Sequence, residues 1–163
     1  MKRLSLAFLV VLVSVVALTS ALTTALAAPA TKKPFSATLE FTEYLGYERL
    51  WMDEEGINHI RGWSMKGNVS GDIVGQIEII ENVNMFMDPS KYLDAQIKGV
   101  ITVGGEDAYR MTADLTIEGG VISSSNFVCN GMGSFKGIHI TGTITIIDPL
   151  HALLTGTKLT TKP

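Results

Sequence analysis

His59 and Arg61 stand two residues apart in the stretch Ile57–Trp63, with Trp51 and Trp63 to either side. An imidazole and a guanidinium beside aromatic walls suit an amphiphile with an anionic head, provided their strand face turns into an apolar chamber. By strict alternation His59 and Arg61 share a face with Ile57 and Trp63, while Asn58, Ile60 and Gly62 occupy the other. Turned outward, the same residues are solvated charges and the tryptophans cap one end of the fold. Buried arginine is rare without a partner, which favours the outward reading. The ligand-binding candidates are therefore His59, Arg61, Trp51 and Trp63, with Asn126 as a further polar group.

Other chemistry-bearing residues read more plainly. Ser123, Ser124, Ser125 and Asn126 precede Cys129, but no nucleophile elbow of the type Gly-x-Ser-x-Gly surrounds them, so no catalytic residue is assigned. The histidines His59, His139 and His151 lack the close spacing of a zinc site, and no metal or cofactor is expected. Gly131-Met132-Gly133 with Gly137 has the look of a phosphate-cradling loop, yet a strand pattern follows where a helix N-terminus is needed; the glycines read as hairpin and bulge positions. Asn68-Val69-Ser70 satisfies the glycosylation triplet, with Asn68 exposed at a strand start.

These residues belong to a chain of 163, of which 46% are hydrophobic and 18% charged, with one cysteine. That is too apolar for a disordered tail and too poor in cysteine for a disulfide scaffold. Residues 1–27 read as a signal peptide: Lys2 and Arg3 open it, Leu4–Leu18 is almost continuously apolar, and Ala25-Leu26-Ala27 supplies small residues for cleavage before Ala28. An uncleaved membrane anchor is the alternative, since about 20 apolar residues span a bilayer. Either way the folded part is expected outside the cytoplasm. Without residues 1–27 the chain keeps 11 basic and 16 acidic groups, a net charge of −5, which argues against nucleic acid or an anionic lipid surface as partner. A lone cysteine makes no internal disulfide, so Cys129 is expected to be buried or to pair with another chain, and its behaviour as a small hydrophobe favours burial.

After a short spacer, residues 28–34, apolar residues recur at period two, the mark of half-buried strands. Val69, Gly71, Ile73, Gly75, Ile77 and Ile79 form the clearest run. Ala95–Val103, Met111–Ile117 and Ile138–Ile146 give three more. Phe35–Thr42, Val121–Cys129 and Leu153–Leu159 are weaker candidates, and Tyr47–Asp53 with Ile57–Trp63 frame a hairpin about Glu54-Glu55-Gly56. The sum is eight or nine antiparallel strands. Glycines inside the apolar faces, at Gly71, Gly75, Gly99 and Gly142, suit the sharp coiling of a closed barrel, which also removes sticky edges. The expected fold is all-β: one antiparallel β-barrel over residues 35–163, with no acid, base or nucleophile evident on its inner face. Val74, Ile80, Val100 and Ile147 interrupt the polar face and could form a self-association patch.

The segments Gly56–Gly62, Gly67–Gly75 with its Gly71-Asp72 step, and Gly131–Gly137 followed by Ile138–Ile147 resemble the allene oxide cyclase and dirigent type of small calycin-like β-barrel. The resemblance covers nearly all of the mature chain and rests on spaced glycines. It implies an eight-stranded barrel, often trimeric, with a largely apolar cavity open at one end. Enzyme members of that group guide cyclisation or coupling of an apolar substrate with a few polar groups inside the cavity.

Three functions follow as expectations: a secreted barrel that holds an apolar small molecule or serves as a structural module, and is a possible homo-oligomer; an isomerase or cyclase in which His59, Arg61 or Asn126 polarises an apolar substrate; or a glycan-contact module using Tyr44, Tyr47, Trp51 and Trp63 as a platform.

Overall fold

The computed structural model describes residues 30–161, so the expected signal peptide lies outside the described residues. Nine strands make up the fold: β1 (Thr31–Gly46), β2 (Arg49–Met52), β3 (Ile57–Gly71), β4 (Gly75–Phe86), β5 (Tyr92–Val103), β6 (Glu106–Glu118), β7 (Val121–Gly131), β8 (Ile138–Asp148) and β9 (His151–Thr160). The sheet runs β1-β9-β8-β7-β6-β5-β4-β3, and β3 pairs back onto β1, closing an eight-stranded antiparallel barrel. β2 is the extra strand and pairs with β3 alone, opposite Asn58–Arg61.

Alternation decides which side chains go inside. Ile77, Ile79, Ile101, Met111, Phe127, Ile140 and Leu154 are almost fully buried, and the polar residues between them face solvent. Three boundaries differ from the sequence reading. The expected spacer 28–34 is strand from Thr31 onward, paired with β9 through Thr31↔Thr160 to Pro34↔Thr157. β1 meets β3 only from Ala37, so Pro34 lies where one side of the strand is unpaired and a missing N–H is tolerated. The run Val69–Ile79 is two strands, with a turn over Asp72–Val74: Gly71 takes φ 111°, Asp72 exchanges backbone and side-chain hydrogen bonds with Ser36, and Val69 faces Gly75. Conversely Ile57–Trp63 and Val69–Gly71 belong to one strand, bent where its register against β4 shifts between Ile60 and Trp63.

The two ends of the barrel differ. At one end lie the connections β3–β4, β5–β6 and β7–β8. The last of these carries a 3₁₀ turn, Gly133–Phe135, tied down by Met132 N–H donating to Ala108 O. Phe135 packs on Tyr109 at 5.2 Å and Phe35 on Phe127 at 6.2 Å, so aromatic rings plug this closed end. The other end carries the β2–β3 hairpin and the β4–β5, β6–β7 and β8–β9 turns. Beneath it Ile60, Val83, Ala95 and Leu115 form a second, smaller core cluster.

Candidate functional site

Beneath that second end the barrel interior is not filled. A cavity of about 240 Å³ lies among inward side chains of every barrel strand except β7, and it reaches the surface beside Asp148, Pro149 and His151 of the β8–β9 corner. Its wall is aliphatic and aromatic, including Trp63, Val83, Leu93 and Leu115, with one exception in mid-strand. β4 sends Ile77, Ile79, Glu81, Val83 and Met85 inward in turn, and Glu81 faces Trp63 on β3 and Ile97 on β5. Burial pushes its carboxyl up to about 7, with no hydrogen bond or neighbouring charge acting in the other direction. Trp63 has its own unmet need: its indole Nε1 is enclosed and has no hydrogen-bond partner. The inner face is therefore not uniformly apolar, as the strand patterns had suggested. The signal for Glu81 was present: the alternation of Ile77 and Ile79 carried two residues further places it inside.

At the outlet, His151 Nδ1 lies 2.8 Å from Asp148 Oδ1, and the same oxygen accepts the Leu150 N–H at 2.8 Å. The backbone N–H and then the imidazole hold the Asp148 carboxyl below its ordinary range.

Trp63 is thus a cavity residue, whereas its sequence companions His59 and Arg61 are not. Gly62 adopts φ 66°, a left-handed conformation that favours glycine, and the resulting bulge breaks strict alternation: Ile60 and Trp63 both point inward while His59 and Arg61 point outward. Outside, His59 Nε2 lies 2.9 Å from Asp53 Oδ2 and Nδ1 lies 2.8 Å from Asn84 Oδ1. Arg61 donates to the same Asn84 oxygen at 2.7 Å and to the carbonyls of Ile60 and Val83 at 2.9 Å each. Asn84 Nδ2 reaches Asp94 at 3.5 Å, and Thr116 donates to Asp94 at 3.4 Å, so a polar row crosses β3 to β6. Trp51 stacks on His59 with ring centroids 4.8 Å apart, and Arg49 lies over the indole at 4.4 Å. With its heads hydrogen-bonded to one another, this cluster fastens the β2–β3 hairpin onto the barrel wall. Sequence reasoning placed His59, Arg61 and Trp51 together but missed Asp53, Asn84 and Asp94, whose partnership depends on strand register.

The remaining candidates stand apart. Asn126 is exposed on β7, four strands from His59, and donates to Ser124 Oγ at 3.3 Å. Asn68 is exposed on β3 between Glu40 and Gln76 of the neighbouring strands. His139 on β8 bonds Asn130 at 2.7 Å, on the outer face. Cys129 is buried, and desolvation pushes its thiol up to about 12. Ile80 and Val100 are diagonal neighbours on the outer face of β4 and β5, but Val74 lies in the closed-end turn and Ile147 near the outlet, so the four do not form one patch. Compared with known proteins, the chain matches no family model, no curated protein and no solved structure.

Proposed function

We propose that this barrel binds a small, largely apolar molecule in the cavity beneath its β2–β3 end. The observation that carries the reading is an apolar-walled space of about 240 Å³, open beside the β8–β9 corner, in a barrel whose opposite end is plugged by aromatic rings. The volume is that of about eight waters, or a ligand of about ten non-hydrogen atoms. The His59 and Arg61 cluster lies on the outer face, so among the described residues the cavity wall holds no lysine or arginine for an anionic head, and its one imidazole, His151, stands at the outlet. Native mass spectrometry of the protein purified from its host tests the proposal. A retained apolar compound is expected, and it should be lost from Leu115→Trp, which fills the space from the wall. Retention by that variant would count against the cavity as the site.

A second reading, an isomerase or cyclase acting on an apolar substrate, is favoured by Glu81 alone, the carboxyl set mid-strand in that wall. It predicts that Glu81→Leu still binds the retained compound but no longer converts it.

A further inference from the structure

Glu81 and Trp63 are opposite partners on adjacent strands and line the same cavity. Among the described residues neither has a partner for its polar head. An indole N–H only donates, and a carboxyl in its acid form also donates. An atom held by Glu81 in that form must accept, and the Trp63 N–H, enclosed beside it, calls for an acceptor too should its ring shift toward the cavity. The rest of the surroundings narrows the choice: β1, β3, β5 and β6 send only uncharged side chains to the cavity, and the other titratable groups that border it are Asp148 and His151 at the outlet. An anionic ligand would meet Glu81 and pass Asp148. A cationic one would leave water for a wall offering a single carboxyl and otherwise hydrocarbon, beside an indole N–H that repels it.

We propose that the ligand is a neutral, mostly hydrocarbon molecule whose polar atom is a hydrogen-bond acceptor, such as a ketone, ester or ether oxygen, held by the Glu81 carboxyl with Trp63 beside it. This rests on the apolar-ligand reading above and names the chemistry of its polar end. Because burial raises the Glu81 pKa to about 7, the acid form that donates is the main one below that pH. Binding of an acceptor should therefore weaken as pH rises through about 7.

The test uses three probes of equal size, 2-nonanone, decane and nonylamine, titrated against the protein in a Trp51→Phe background so that Trp63 emission reports occupancy. At pH 5.5, 2-nonanone is expected to bind at least about tenfold more tightly than decane. That margin should shrink above pH 7, persist without pH dependence in Glu81→Gln, which keeps a donor, and fall to less than about threefold in Glu81→Leu, which keeps only the Trp63 N–H and should bind decane as well as before. Equal binding of 2-nonanone and decane, or preference for nonylamine, overturns the assignment and leaves the apolar-ligand reading standing. Failure of all three to bind a protein with unchanged circular dichroism overturns both. Glu81→Gln is nearly isosteric, so the comparison survives even if Glu81→Leu does not fold.

Discussion

Glu81 sets a measurable cost on the fold. An acid whose folded pKa lies above its unfolded value holds an extra proton in the folded state between the two, so stability falls as pH rises across that window. With the carboxyl moving from 4.5 to about 7, the unfolding free energy should drop by roughly 3 kcal/mol between pH 4.5 and pH 8. Urea denaturation of the ligand-free protein at the two pH values checks this, and Glu81→Gln should lose the dependence assigned to this side chain. Cys129 makes the opposite kind of prediction: a buried thiol raised to about 12 should resist iodoacetamide at pH 8 until the protein is unfolded. At this scale the sequence exposed residue types but not their neighbours. Glu81 was hidden because an acid in a strand is read as facing water, and its position inside follows only when the parity set by Ile77 and Ile79 is trusted over its chemistry.

Strands and hairpins show why the boundaries were harder than the faces. In β3 and β4 paired residues of the lower half have matching parity, as in Gly67↔Ile77 and Val69↔Gly75, so the inward set stays odd-numbered through the turn and periodicity cannot see the reversal. The punctuation was in Gly71 and Asp72 instead. The bulge at Gly62 has the reverse effect, splitting a run that alternation would keep on one face. Gly62→Val should destabilise the barrel by about 1–3 kcal/mol through its left-handed backbone, measured by urea titration. The β2–β3 hairpin depends on Asp53, whose carboxylate accepts the Glu55 and Ile57 N–H groups and pairs with His59. His59 first, and then the Ile57 N–H, hold that carboxyl below its ordinary range, so its contribution is present at neutral pH and lost as pH falls through the lowered pKa. Asp53→Ala should speed hydrogen exchange across residues 49–58 while leaving β5 to β8 protected.

The whole molecule is legible where the sequence repeats one rule many times. Eight strand segments of similar length, separated by turns that carry Gly104-Gly105, Gly119-Gly120 and Gly133–Gly137 or the Asp-Pro steps at Asp88 and Asp148, leave closure as the arrangement that gives each of the eight a partner on both sides, and the barrel follows. Closure itself joins β1 to both β9 and β3, pairings far apart in the chain, and such non-local contacts slow folding. Stopped-flow refolding should give a main phase of milliseconds to seconds or slower, and removal of β9 should abolish it.

Because Thr31 and Thr160 are ladder partners at the plugged end, a linker of a few residues joining them would make the polypeptide circular without crossing the cavity outlet. New ends could then be cut at Gly119-Gly120, turning the junction between β1 and β9 into an ordinary loop that can carry insertions.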